Sequence, residues 1–368
     1  MKNINYSKLF VYLKLLYISI LFLFYNIIHK KKKVGVIGLE HSINIGNNLL
    51  KYAMFIFLRN LGYDPFIIGM KIPHNNITFI RKETKLIIIN NSFSELKNNF
   101  FDILMVNSDQ TWRKFYSKRY LKHFYDTAFL KFAEKWNVPK FVYGASLGVN
   151  IWNYKKKDEK IAKMLLKNFT GISVRDKMAI KLIEKNLGLK PEFVLDPTLL
   201  IDKKYYLNLI KNYKSDKSIN ETYIFFYTVR RFGQVISFIN KLKKVNKYKI
   251  FQVKDNIKDF IYGIYYSKGV ITDSFHGTVF SIIFKKPFIT FINKKKKEIR
   301  FNSLEYIFNI KKRIYDINIE PDVTLLEKPL HLNMNIFNIM INKCFIFKIY
   351  KFLLFKFYFV FLFIICMK

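Results

Sequence analysis

Residues 33 to 70, KVGVIGLEHSINIGNNLLKYAMFIFLRNLGYDPFIIGM, constrain the fold more than any other stretch of the chain. KVGVIG is a short apolar run and LEHSINIG a polar loop. In NNLLKYAMFIFLRNLGY the apolar residues recur at intervals of three and four, which predicts a helix, and Gly62 stops it. PFIIGM is the next short apolar run. A strand, a glycine-containing loop, a helix and a second strand in that order open a doubly wound parallel sheet. The same grammar returns at YIFFYTV (223–229), a helix near 233–245, YKIFQV (248–253), GVITD (269–273), a helix from about Thr278 to Phe284 stopped by Lys285, Lys286 and Pro287, and then FITFI. The chain is therefore expected to be α/β, with two Rossmann-like halves over 34–205 and 206–330 facing a cleft. At 368 residues it is long enough for a core in each half.

Composition narrows the partners. Two cysteines, Cys344 and Cys366, lie in the apolar tail without CxxC or Cys/His spacing, so neither a disulfide framework nor a zinc site is expected. No residue cluster calls for a metal. The 64 basic and 26 acidic residues give a formal charge of +38, which raises the question of nucleic acid. The excess is spread along the whole chain, accompanies an Ile-, Asn-, Phe- and Tyr-rich composition and goes with no nucleic-acid-binding motif. An anionic membrane surface fits it better.

Both ends support a membrane. LFVYLKLLYISILFLFYNII, residues 9–28, is apolar except for Lys14 and long enough to cross the hydrocarbon layer as a helix. Lys30 to Lys33 follow, and outweigh Lys2 and Lys8 on the other side, which places the body of the protein in the cytoplasm. Residues 1–33 are thus read as an anchor with a basic flank. The tail, 331–368, ends in an aromatic and aliphatic stretch from Cys344 with Lys348, Lys351 and Lys356 spaced through it. Such lysines snorkel from an interfacial helix, and a helix packed on the protein's own core is the competing reading.

The segment DSFHGT sits at the carboxyl end of the GVIT strand, where open α/β sheets bind ligands. The amides of Gly277 and Thr278 open the next helix there and favour an anion. His276 is thereby held beside a phosphate-sized site, as an imidazolium that neutralises phosphate or donates a proton. The alternative is a histidine that caps the turn with Asp273.

The company this motif keeps gives it weight. ITDSFHGTVFSIIFKKPFI resembles the most recognisable segment of the polysaccharide pyruvyl transferase family. Further landmarks of that family stand in order: NIGNNLLKYAMFIFLRNLGY (44–63), FDILMVNSDQTW (101–112), FVYGASLG (141–148), ISVRDKMAIKLI (172–183), FVLDPTLLI (193–201) and IRFNSLEYIF (299–308). Asn107, Leu147, Leu50 and Lys51 depart from the family pattern. The resemblance implies a fold like the glycosyltransferases of the B type. It also implies transfer of an enolpyruvyl-derived unit from phosphoenolpyruvate to two hydroxyls of a sugar, with no further cofactor. A glycan or lipid-linked sugar is the expected acceptor.

In that chemistry His276 is the candidate acid or phosphate partner and Asp109 the candidate base toward a sugar hydroxyl. Arg175 and Arg300 are candidates to grip carboxylate or phosphate with two parallel hydrogen bonds. Ser274, Gly277 and Thr278 complete the donor side. Gln110 and Trp112 would shape the acceptor site, and Gly46, Asn47 and Asn48 form a second turn of amides at a helix start. Asp196, in L-D-P-T, reads as a turn former before Pro197. Because fold does not determine function, a nucleotide-sugar glycosyltransferase and an inactive membrane adaptor remain as alternatives.

Overall fold

A computed structural model of the chain describes residues 31–39, 44–70, 76–114, 122–213, 222–244, 248–294, 299–342 and 344. The expected anchor at 9–28 and the tail from 345 onward lie outside the described residues. Among the described residues no helix is long and apolar enough to cross a membrane.

The first half is a seven-stranded sheet. Its elements are β1 (Lys33–Ile37), α1 (Ile45–Asn60), β2 (Asp64–Met70), α2 (Asn76–Glu83), β3 (Leu86–Ile89), β4 (Ile103–Val106), α3 (Phe124–Phe129), β5 (Lys140–Ala145), α4 (Lys156–Leu166), β6 (Gly171–Val174), α5 (Lys177–Leu187) and the two-residue β7 (Glu192–Phe193). All neighbours pair in parallel, in the order β3-β2-β1-β4-β5-β6-β7. The strands are buried on both faces, as apolar runs without alternation require.

After α6 (Lys203–Ile210) the second half follows, with β8 (Tyr223–Tyr227), α7 (Gly233–Lys244), β9 (Lys249–Gln252), α8 (Ile257–Tyr266), β10 (Gly269–Thr272), α9 (Phe275–Ile283), β11 (Phe288–Ile292), α10 (Ile299–Phe308) and β12 (Ile314–Asp316). Its parallel order is β12-β11-β10-β8-β9. Each sheet reverses its winding once, between β1 and β4 and between β8 and β10, and such reversals open the crevices in which α/β proteins hold ligands.

The halves are joined by a common apolar core. One continuous cluster contains Val34, Leu49 and Met105 of the first half together with Phe225, Phe260, Phe280 and Phe301 of the second. Tyr206 of α6 packs edge-on to Phe280, with 4.8 Å between centroids. Lys177 donates its amide to Ser303 Oγ at 3.0 Å, fastening α5 to α10. Past the second sheet the chain returns to the first half, where Cys344 lies buried with its sulfur 3.6 Å from the Tyr143 hydroxyl.

Candidate functional site

Loops at the carboxyl ends of the strands converge between the halves. After β1, Asn44 caps α1 by accepting from the Asn47 amide, and this brings Gly46 into the first turn. A Cβ at residue 46 would lie 2.0 Å from His276 Nδ1, so the imidazole rests on a bare backbone that a side chain would displace. Only glycine permits this approach. His276 belongs to the other half. The two halves of the molecule therefore meet at this residue pair.

Asp109 follows β4 and is held at φ 106, a left-handed conformation that a non-glycine residue adopts at a cost. A bridge to Ala145 and the Ser146 amide on its carbonyl hold it there. Its carboxylate accepts from Asn47 Nδ2 at 3.1 Å and from Arg175 Nη2 at 3.0 Å. Arg175 Nη1 donates in turn to Asp196 Oδ2. The other oxygen of Asp196 caps the turn Pro197–Leu199 through the Thr198 amide and hydroxyl. His276 Nε2 stands 3.8 Å from Asp196 Oδ2 and has no hydrogen-bond partner.

Electrostatics separate the roles of these groups. Burial would raise Asp109, but Arg175 first, then His276 in its charged form and Arg300, outweigh it and hold the carboxyl below the usual range. Burial is also the largest influence on His276; with Arg175 and Arg300 it overcomes the pull of Asp196 and Asp109 and brings the ring down to about 4. The free protein thus carries a neutral imidazole at pH 7, not the imidazolium expected from the turn alone. Asp176 is pushed up, because burial exceeds the effect of Arg175 and of the hydrogen bond from the Ser146 hydroxyl.

The remaining candidates divide. Arg300 lies near the cluster, 5.4 Å from the Phe275 ring centroid, and Arg175 is 5.0 Å from the same ring, so Phe275 is shared by both guanidiniums. Ser274 is the N-cap of α9, which begins at Phe275 rather than Thr278. The Gly277 amide donates to Ser274 Oγ and the Thr278 amide to the Ser274 carbonyl, so both amides are already used within the turn. The Thr278 hydroxyl is wholly buried and bonds to Ser274 O and Thr290. Asp273 does not fix the imidazole; its carboxylate binds the loop after β8.

On the expected acceptor side, Gln110 Oε1 accepts from Arg113 and packs so tightly on Gly148 that a Cβ there would lie 2.2 Å away. Trp112 is instead a core residue, 1% exposed, with its indole N–H on the Ala128 carbonyl. Asn48 faces inward and donates to the Asn44 carbonyl. Among the described residues no group of three or more His, Cys, Asp or Glu side chains is arranged to hold a metal ion. Sequence reasoning missed the second oxygen of Asp196, the shared ring of Phe275 and the loop at Arg230 that Asp273 binds. Of these, only the L-D-P-T and S-F-H-G segments carried a signal.

No curated protein matches the sequence. The UDP-GlcNAc 2-epimerase from Neisseria meningitidis, in a structure bound to UDP-GlcNAc, aligns with a TM-score of 0.52 at 10% identity over 80% of this chain and 89% of its own. A glycosyltransferase from Rickettsia africae aligns at 0.49 with 14% identity, over 88% of this chain and 99% of its own. The first likeness shows the fold, two parallel α/β halves of the glycosyltransferase-B type. The family model for polysaccharide pyruvyl transferase matches residues 44–295, a span that begins at the Asn44 cap and includes every loop of the site except α10. The chain belongs to the polysaccharide pyruvyl transferase family.

Proposed function

We propose that the protein transfers the enolpyruvyl-derived unit of phosphoenolpyruvate to two hydroxyls of a sugar in a cell-surface polysaccharide or its precursor. The observation that carries this reading is the seat of His276 on Gly46, beside Asp196 and the Asp109–Arg175 pair. Five segments of the family's sequence, from both halves, contribute to that one point. In the reaction, C3 of the donor gains a proton and C2 forms two bonds to hydroxyl oxygens. The bond from C2 to the phosphate oxygen breaks and phosphate leaves with its electron pair. Of the two hydroxyl protons, one ends on C3 and the other on phosphate, so the products are a ketal and inorganic phosphate.

His276 is the proton carrier in this scheme. Its neutral ring accepts a proton at Nε2, the nitrogen without a hydrogen-bond partner. A phosphate dianion beside the ring favours the charged form, so donor binding brings proton uptake. The imidazolium then serves as acid toward the donor. Asp109 has both oxygens engaged and a lowered pKa, which suits holding Arg175 and Asn47 better than abstracting a proton. The acceptor is a glycan or lipid-linked sugar entering from the side of Gln110. The protein works at the cytoplasmic face of a membrane, held by residues 9–28; deletion of 1–33 should release it from the membrane fraction.

The test is incubation with phosphoenolpyruvate and candidate glycans, following phosphate release together with a new ketal methyl signal. Sugar transfer from a nucleotide donor, with phosphoenolpyruvate left intact, would overturn the reading in favour of a glycosyltransferase.

A further inference from the structure

The outer surface of the first half carries a face that the cleft leaves without a role. On α4 and at its C-cap, Lys156, Lys157, Lys160, Lys163 and Lys167 are exposed. Steps of four, three and four from Lys156 place most of them in one stripe, with Lys157 at its edge. The two acids of the helix are withdrawn from it. Asp158 is buried, where it accepts from the Tyr125 hydroxyl and from the Lys155 amide at 3.0 Å and pairs with Lys114. Glu159 accepts from the Trp152 indole N–H at 2.8 Å, and only Lys156 reaches back to it, at 3.2 Å. Beside α4 packs α5, which adds exposed Lys181 and Lys185 against one exposed acid, Glu184.

Such a stripe works against its own helix. Like charges three and four residues apart repel, and Lys156 and Lys157 stand in the first turn, where the helix dipole disfavours a cation. The lysines of α7 are placed differently: Lys241, Lys243 and Lys244 fall in its last turn, where they complement the carbonyl end. Apolar side chains stand among the lysines of the first face. Ile151 is 53% exposed just before α4, Met164 49% beside the stripe and Met178 47% at the start of α5. The loop that presents Ile151 is firmly held, since Trp152 packs against Tyr154 with 4.6 Å between ring centroids and the Tyr154 hydroxyl donates to the Trp112 carbonyl at 2.7 Å. A nucleic-acid backbone would meet only the lysines; a headgroup layer over acyl chains takes both kinds of side chain.

We infer that the α4–α5 face docks on a bilayer containing anionic phospholipid, with its lysines among the headgroups and Ile151, Met164 and Met178 at the acyl boundary. Contacts of this kind are reversible and weakened by salt, so they orient the anchored protein and do not replace its anchor. The loop 149–155 leads to this face from Gly148, on which Gln110 packs. Docking therefore brings the Gln110 side of the cleft to the level of the headgroups, where a lipid-linked sugar is held; that consequence, unlike the docking, rests on the acceptor proposed above.

Amine-reactive labelling of the full chain, read lysine by lysine in a mass spectrometer, tests this in phosphatidylcholine vesicles with and without phosphatidylglycerol. With the anionic lipid, labelling of Lys160 and Lys163 should fall on the order of 10-fold and return at high salt, while Lys243 and Lys244 label alike in both vesicles. The triple variant Lys160→Gln, Lys163→Gln, Lys167→Gln, changed only at exposed positions, should keep its melting temperature and lose the protection that the anionic lipid gives Lys181. Equal labelling in the two vesicles overturns the inference, as does protection that covers α7 to the same extent or that persists at Lys181 in the variant. Protection of this face by RNA and not by vesicles overturns it in favour of nucleic acid. Phosphate release from phosphoenolpyruvate, measured in detergent, tests the proposed reaction separately, so either reading can fail alone.

Discussion

Arg175 is buried and Arg230 half-buried, and the fold treats the two guanidiniums oppositely. Arg175 is 3% exposed, with a carboxylate on each side, and its guanidinium is held more firmly charged than usual. Arg230 is held less firmly, by burial first and by the charge of Arg300 next. The first belongs to the frame: its charge is compensated within the protein, and no ligand is required to satisfy it. An arginine in a motif such as S-V-R-D is therefore not by itself a ligand-binding residue; what flanks it decides.

The largest expected effect follows from the frame. Arg175→Ala leaves Asp109 and Asp196 buried without their counter-charge, a loss of roughly 3–5 kcal/mol. Thermal denaturation should show most of the protein's stability gone. A variant that melts normally and loses only donor affinity would move Arg175 out of the frame and into contact with the donor, erasing the contrast.

His276→Gln keeps much of the ring's volume but carries no proton. Turnover should fall by a factor of about 10² to 10⁴ while the protein stays folded and still binds donor. A stable variant with full turnover removes His276 from the chemistry and leaves it as packing against Gly46.

The same residue has a signature in stability. Its folded pKa of about 4 lies below the ordinary 6.5, so between those values the unfolded chain binds more protons than the folded one. The contribution is fully present above pH 6.5 and is lost as pH falls toward 4, amounting to on the order of 3 kcal/mol. Unfolding free energies measured across that window should be steeper for the unaltered protein than for His276→Gln. Equal slopes would mean that the ring is not buried neutral.

Trp112→Phe gives the smallest change. It removes the bond to the Ala128 carbonyl and some core volume, on the order of 1–2 kcal/mol. The dependence of rate on acceptor concentration should be unaltered; a selective loss of acceptor use would restore the residue to the acceptor site.

What the sequence made legible is what local pattern determines. GVIT is β10 residue for residue, and the period of NNLLKYAMFIFLRNLGY gives the body of α1, which begins two residues earlier, at Ile45, and ends at Asn60, just before Gly62. The placement of DSFHGT at a strand's carboxyl end holds. What escaped depends on distant partners. The helix after β10 starts three residues early because Ser274 caps it, and a serine there looked equally suited to touching a donor. Asp196 does form the turn before Pro197, as read, yet its other oxygen meets Arg175 and His276, residues 21 and 80 positions away. Arg230 stands in no motif; only the reversal of strand order between β8 and β10 brings its loop to the cleft.

The bare backbone of Gly46 also sets the mechanics of the molecule. With an imidazole already pressed on it, this point is a hard stop: the halves can approach no closer there. A methyl group at residue 46 would act as a shim, wedging the imidazole off the backbone and parting the two halves where they meet.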